Sequence, residues 1–362
     1  MRILQLCSVN TFGGGERHLA DLARGLHARG HEVYAAAFPG SPLHAELSFL
    51  PEGNVFALKR RSYAKNLVGL AGFMRERGIE IIHAHAARDY HLAALAVRLA
   101  PRGRLVLTRH ALFPLGRIHR LILRPAARFI AVSGAVAESL SNRGVIDPAK
   151  IVVIHNGVDV DRYASAGSRG RDYRRPLVGT IGHLGPIKGQ DVLVLAAARV
   201  IPHREGVRFV IVGADKSSGQ PFRRRLDHMV DELGLVKHVN LIGWRDDVAE
   251  VLSTFSLFIS PARSEPFGLA IVEAMASGLA VVATASEGAR EIIEDGVTGR
   301  LVPVGDPLAL AGAIEDLLDA PAECERLGRN ARRAARERFS LERMVRDTER
   351  VYGEVLSGMT QP

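Results

Sequence analysis

The chain has 362 residues, too many for one ordinary hydrophobic core, so its length predicts two domains. Hydrophobic residues make up 47% and charged residues 24%, the balance of a soluble globular protein, and the net charge is +9. The two cysteines, Cys7 and Cys324, stand far apart without metal-type spacing, which argues for a reducing compartment and against a disulfide scaffold.

Met1-Arg2-Ile3-Leu4 enters a strand directly, without the cationic region, apolar run and small-residue cleavage site of a signal peptide. Apolar runs predict strands at 2–7, 32–38, 54–58, 80–84, 104–108, 128–132 and 151–154, and a second series at 177–182, 207–212, 238–242, 256–260, 279–283 and 300–303. Helical patterns lie between most of them, at 15–29, 65–77, 88–99, 134–142, 188–200, 221–233, 246–253, 268–277 and 307–319. This alternation predicts an α/β chain with parallel sheets covered on both faces. Residues 161–176 are rich in Arg, Gly and Ser and lack apolar periodicity, so they read as a linker between domains at 1–165 and 176–340. A last amphipathic helix is expected at 341–357, with Leu341, Met344, Val345, Val351, Tyr352 and Val355 apolar.

Gly13-Gly14-Gly15 follows the first strand and opens a helix, so its amides can approach a phosphate or a sugar; a purely structural turn is the alternative. The pattern is not Gly-x-Gly-x-x-Gly, and Phe38-Pro39 rather than an acid ends the second strand, which argues against a nicotinamide enzyme. His83 and His85 have the look of a metal pair, but two ligands are too few, and they read as loop or acceptor-side residues. From 98 to 128 there are eight arginines and no acid. Within that stretch Leu115, Ile118 and Ile122 share one helical face and Arg117, Arg120 and Arg124 another. This is the pattern of a basic amphipathic helix over 112–124 on an anionic membrane surface, and equally of a helix packed on its own domain. With no nucleic-acid motif and little aromatic interleaving, nucleic acid is not an expected partner.

His110 follows the strand at 104–108. Lys188-Gly189 follows the strand at 177–182, where the ammonium can neutralise a phosphate and the glycine permits close backbone approach. The nearly uncharged stretch 266–286 reads as a helix plus a strand rather than a membrane span, because Pro266, Glu273 and several Gly and Ser interrupt it.

The densest signal is Glu265 and Glu273, eight positions apart around Pro266-Phe267-Gly268-Leu269. Proline is favoured where a helix begins, so the amides of Phe267, Gly268 and Leu269 should face outward at the positive helix end, a site for an anion. Glu265 then precedes the helix and Glu273 lies about one and a half turns inside it. Amides for phosphate, with a carboxylate on each side for hydroxyls, describe a site for a nucleotide sugar. The plainer alternative is a helix burying Leu269, Val272, Ala276 and Leu279, with Glu273 in solvent.

This Glu-x7-Glu stretch resembles the signature of family 4 retaining glycosyltransferases of the GT-B fold. Collinear segments extend the resemblance over nearly the whole chain: Gly13-Gly14-Gly15-Glu16, Thr108-Arg109-His110, Ala131-Val132-Ser133, Ile154-His155-Asn156-Gly157-Val158-Asp159, Gly182-His183-Leu184, Lys188-Gly189 and Gly296-Val297-Thr298-Gly299. The resemblance implies two doubly wound Rossmann-like domains facing across a cleft. The first is on the acceptor side, the second binds the nucleotide sugar, and residues 341–362 cross back to the first. It implies catalytic roles for His110, Lys188 and Glu265, and donor binding by Gly14, Gly15, His183, Lys188, Glu265, Phe267, Gly268, Leu269 and Glu273. In the family, His110 meets the donor sugar, Glu265 holds it and Glu273 binds ribose hydroxyls. The base is expected near Gly213 and Gly243-Trp244-Arg245. Neither a metal ion nor a cofactor is expected, and retention needs no dedicated nucleophile, because the phosphate serves as base on the departing face.

Two places depart from the family pattern: His183 replaces an arginine, which suggests a weaker, protonation-dependent phosphate contact, and Glu287-Gly288-Ala289 departs from the family's common Gly-Gly pair. The acceptor implied is a surface glycan (lipopolysaccharide, exopolysaccharide or lipid-linked), and the location is cytoplasmic, at the inner face of the membrane through 112–124. A sugar-nucleotide epimerase would share the architecture but work without acceptor. A non-catalytic nucleotide-sugar or lipid-binding module would bind without turnover.

Overall fold

The computed structural model describes residues 1–116, 118–166 and 171–358. The chain divides into two compact units, Met1–Gly157 with Leu341–Pro362, and Val158–Ser340. The boundary at 157/158 precedes the expected linker. Residues 161–166, read from their composition as the start of the linker, belong to the helix Val160–Ala166 of the second unit, and 167–170 lie outside the described residues.

The first unit holds β1 (Arg2–Leu6), β2 (Glu32–Ala37), β3 (Val55–Ala57), β4 (Ile81–Ala84), β5 (Arg104–Arg109), β6 (Ala126–Ala131) and β7 (Ile151–Val153). They form one sheet in the order β3-β2-β1-β4-β5-β6-β7, and all pairs are parallel. Helices cover both faces, so the central strands bury nearly all of their side chains. Ile81, Ile82, His83 and Ala84 of β4 are all buried, and apolar runs replace the alternation of a half-exposed sheet. The helix Leu341–Ser357 belongs to this unit. Its Met344, Val345, Val351 and Tyr352 enter the same core as Ile3, Leu19, Leu22 and Ile81.

The second unit repeats the plan with β8 (Leu177–Ile181), β9 (Arg208–Val212), β10 (Val239–Gly243), β11 (Leu257–Ser260), β12 (Val281–Thr284) and β13 (Arg300–Val302). The sheet is parallel, in the order β10-β9-β8-β11-β12-β13. Its core runs from Val178 and Phe209 to the helices Gln190–Val200, Pro307–Asp319 and Pro321–Arg338. Asp306 caps the second of these, accepting from the amides of Leu308 and Ala309. The eighteen-residue helix Pro321–Arg338 was not among those read from the sequence, because its thirteen polar and small surface positions dilute the apolar stripe of Cys324, Leu327, Ala331 and Ala335.

In each sheet the strand order reverses beside the first strand, between β1 and β4 and between β8 and β11. Ligands in such sheets sit outside the carboxyl ends of strands at that reversal. Gly13–Gly15, His85 and His110 follow β1, β4 and β5; His183, Lys188 and Glu265 follow β8 and β11.

Candidate functional site

In the second unit the chain leaves β8 through Gly182-His183-Leu184 and a short turn, Pro186–Lys188, before the helix Gln190–Val200. Gly189 joins turn to helix at φ +66°, and a Cβ there would lie 2.0 Å from the Pro261 carbonyl oxygen. Only glycine lets the turn after β8 rest on the chain leaving β11. Arg263 locks the two together, forking onto Asp191 at 2.8 and 3.0 Å. The result places Lys188 Nζ 2.5 Å from Glu265 Oε2, with the glutamate side chain only 14% exposed. An ammonium has three donors, so two remain for phosphate oxygens.

Glu287 and Gly288 build the floor beneath this pair. Glu287 Oε2 accepts from Ser264 Oγ at 3.1 Å and from the Glu265 amide at 3.2 Å, and the Gly288 amide donates to the Glu265 carbonyl at 2.8 Å. A Cβ on Gly288 would meet the Phe267 carbonyl oxygen at 2.1 Å. The carboxylate at 287 thus ties down the loop that carries Glu265.

The helix of the acid pair begins later than its proline suggests. It spans Leu269–Ala276, with Gly268 as N-cap at φ +116°. Pro266 and Phe267 belong to the preceding turn, and the Phe267 ring is buried edge-on to Phe339 at 5.8 Å, a packing role rather than a ligand-facing one. The amides of Gly268, Leu269 and Ala270 donate to nothing among the described residues, and they sit at the positive end of the helix. Glu273 is not in solvent. It is 7% exposed, and the hydroxyl of Tyr163, from the helix Val160–Ala166, donates to its Oε1 at 2.8 Å.

His183 stacks on Trp244, with ring centroids 5.6 Å apart, and the Lys216 ammonium lies 4.7 Å from the centre of the Trp244 ring. Burial, and then the ammoniums of Lys216 and Lys188, push its pKa down to about 4. The ring expected to make a protonation-dependent phosphate contact is thus held toward its neutral form.

In the first unit, helix Gly14–Ala28 starts from the glycine loop, where the Gly13 amide donates to Glu16 Oε2 at 2.8 Å. The amides of Gly14 and Gly15 have no acceptor among the described residues. The chain after β1 is held by Asp89, which accepts from the Ser8 amide at 2.8 Å and from its hydroxyl. Gly15 faces the ring of His110, which a Cβ would approach to 3.6 Å.

His83 is a strand residue of β4 rather than a loop residue, whereas His85 lies in the loop just past that strand; both are buried. His83 lies between the Tyr352 hydroxyl at 2.5 Å and Thr108 Oγ1 at 2.6 Å, and His85 Nε2 meets Gln5 Oε1 at 2.7 Å. His85 and His110 gather with His18, from the glycine-loop helix, so that their ligating nitrogens lie within 4.8 Å of one another. Burial pushes the pKa of His18 down to about 4, and those of His85 and His110 well below the usual imidazole range.

Residues 112–124 do not form the expected amphipathic helix. Only His119–Ile122 is helical, and Arg117 lies outside the described residues. Leu115 and Leu123 are buried, but Phe113, Ile118 and Leu121 are 72%, 66% and 71% exposed beside the exposed Arg120 and Arg124. No described helix is long and apolar enough to cross a membrane.

Sequence reasoning missed His18, Tyr163 and Lys216. His18 stands four residues after Gly14 and so on the same helix face, a usable signal; Tyr163 sat in a segment discounted by composition.

Residues 12–162 match the family profile described as Glycosyltransferase Family 4, and residues 163–334 the profile described as Glycosyl transferases group 1. The phosphatidyl-myo-inositol mannosyltransferase of Mycobacterium tuberculosis is 32% identical over 98% of this chain and 97% of its own. The D-inositol 3-phosphate glycosyltransferase of Mycobacterium sp. (strain KMS) is 35% identical over 57% of this chain; the match spans about half, 48%, of that relative's length. Among solved structures, Anabaena HepE in complex with UDP and glucose is 26% identical, with a TM-score of 0.85 over 98% of this chain and 99% of its own. A Rickettsia africae glycosyltransferase shares the fold with a TM-score of 0.87 at 24% identity.

Proposed function

The chain belongs to the family 4 glycosyltransferases of the GT-B fold, and from that premise we propose that it moves a sugar, with retention, from a nucleotide-diphosphate donor to a lipid-linked acceptor. The observation that carries the donor half is the Lys188–Glu265 contact beside the helix start at Gly268 and Leu269. Breaking the glycosidic bond leaves extra charge on the distal phosphate, and fixed donors aimed there lower the barrier. Lys188 supplies a point charge held in place by Glu265; the amides of Gly268, Leu269 and Ala270 supply oriented dipoles. Glu265 offers its other oxygen to sugar hydroxyls. Glu273, held by Tyr163, takes the ribose; within the first unit, His110 and the amides of Gly14 and Gly15 are groups suited to a sugar. Lys188 does the work a magnesium ion would do on the diphosphate, so donor binding needs no metal. The neutral His183–Trp244 stack beside Lys216 is a flat surface for the base.

Two observations support a lipid-linked acceptor: the full-length similarity to a phosphatidyl-myo-inositol mannosyltransferase, and the exposed Phe113, Ile118 and Leu121 flanked by Arg120 and Arg124. Apolar side chains that enter the headgroup layer beside arginines that meet anionic lipids suit a protein working peripherally at the inner face of the cytoplasmic membrane.

A thermal-shift screen with UDP-, GDP- and ADP-sugars tests the donor half. The true donor, at about 100 times its dissociation constant, stabilises the fold by about 2.7 kcal/mol. No shift with any of the three, up to millimolar concentration, would overturn it.

A further inference from the structure

His18 Nδ1 and Nε2, His85 Nδ1 and His110 Nε2 are buried without a hydrogen-bond partner. Unpaired buried polar atoms are costly, so three rings that bring such atoms within 4.8 Å of one another call for a ligand rather than for packing. They arrive from three rigid elements, the helix Gly14–Ala28 and the ends of β4 and β5. His18 meets His110 edge-on with centroids 4.8 Å apart, and His85 at 5.4 Å.

The surrounding bonds fix how each ring presents itself. Gln5 Nε2 donates to the Tyr352 hydroxyl at 3.3 Å, so Gln5 Oε1 accepts the proton of His85 Nε2. The lone pair of His85 then lies on Nδ1, inside the cluster. Asn156 lies beside His18, and its own Oδ1 is buried without a partner; a small ring rotation lets it hold one His18 nitrogen and leaves the other facing the cluster. A metal-binding histidine is oriented through its second nitrogen in this same way.

We infer that His18, His85 and His110 bind one zinc-class divalent ion, with Gln5 and Asn156 as its outer-shell partners. Zinc–nitrogen distances of about 2.0–2.1 Å put tetrahedral nitrogens about 3.4 Å apart. The present spread of up to 4.8 Å needs only modest ring movement to close. An all-imidazole set suits zinc, cobalt, nickel or copper and not magnesium or calcium, which demand oxygen. Three histidines leave a fourth position for water or a sugar hydroxyl. The expectation that His83 and His85 are too few for a site is thus revised: His83 is occupied elsewhere, and the missing ligands come from His18 and His110.

The test titrates the chelator-treated full chain with Co²⁺ and then with Zn²⁺. The expected result is one equivalent of cobalt with the strong visible bands of four-coordinate geometry, displaced by Zn²⁺ and untouched by Mg²⁺. His18→Gln and His85→Gln, each checked for folding by circular dichroism, abolish the bands. Gln5→Leu weakens zinc affinity about 10- to 100-fold. His119→Ala, at the separate His91–His119 pair with rings 5.0 Å apart, leaves the bands unchanged. Should the cluster variants unfold, zinc-edge X-ray absorption on the wild-type chain decides, by counting three imidazoles or not. Absence of the bands, their survival in both cluster variants, or their loss in His119→Ala overturns the inference.

Discussion

Replacing Lys188 by alanine separates the contribution of its ammonium to donor binding from its contribution to the fold. In the fold the ammonium pairs with Glu265 at 2.5 Å, the lysine side chain 34% and the glutamate 14% exposed. A pair with one partner this open to solvent contributes on the order of 0.2–1 kcal/mol to stability. Against a bound diphosphate the same group makes a charge-assisted hydrogen bond of about 1.5–3 kcal/mol. At about 1.4 kcal/mol per tenfold, that is about a 10- to 140-fold loss of affinity. The transition state carries more charge on the distal phosphate than the ground state does, so kcat falls further, by about 100-fold or more. Calorimetry with the nucleoside diphosphate and the matching nucleoside, on wild type, Lys188→Ala and Lys188→Arg, reads these separately. Nucleoside affinity stays level, diphosphate affinity drops in Lys188→Ala, and Lys188→Arg recovers part of it. If diphosphate affinity is the same with and without the amine, the electrostatic account of the site is wrong.

Four further outcomes follow from the geometry. His183 titrates near pH 4, below its unfolded value of about 6.5, so the unfolded chain binds its proton first. Stability from this group is present above about pH 6.5 and is lost as pH falls toward 4, whereas donor affinity between about pH 6 and 8 changes identically in wild type and His183→Gln; diverging profiles in that range would show the ring to be charged there. Gly189→Ala forces a left-handed backbone on alanine and a 2.0 Å contact with Pro261, so it lowers unfolding free energy by about 1–3 kcal/mol in urea titration; an unshifted midpoint contradicts the close approach. Arg120→Glu with Arg124→Glu removes two basic residues worth about 1 kcal/mol each at an anionic surface, a loss of about 30-fold in vesicle co-sedimentation, and equal binding to neutral and anionic vesicles argues against that face. Zinc ions slow transfer by occupying His110, and chelator restores it; inhibition that persists in His18→Gln arises at another place.

The thirteen strands could be read from the sequence because a parallel strand covered on both faces is a short apolar run between turn residues, and every such run became a strand within one to two residues. Lys188, Glu265, Gly268 and Leu269 could be read as a set because each lies just past a strand end, and the structure brings them together. The helix start at Leu269 could not: Pro266 is a helix-initiating residue, but the positive φ at Gly268 ends the turn two residues later. The composition of 161–176 concealed Tyr163, whose ring packs through tertiary contact rather than through local propensity. The lowered pKa of His183 comes first from burial and then from the ammoniums of Lys216 and Lys188, and neither the burial nor Lys216 is local in sequence. The exposed Phe113, Ile118 and Leu121 defeat helical periodicity, since that stretch buries Leu115 and Leu123 from an irregular backbone.

Tyr352 closes the bond chain from Gln5 through His83 to Thr108, yet it is made long after all three. On the ribosome, the whole of 158–340 must emerge between the sheet that needs this tyrosine and the tyrosine itself. At about 5–20 residues per second, that interval is roughly 10–40 s. The contiguous second unit can complete its tertiary structure while the first waits with an open seam along β1 and β4. The nascent N-terminal half is therefore the stretch most exposed to chaperones and proteases, and a premature stop before residue 341 would strand it in that state.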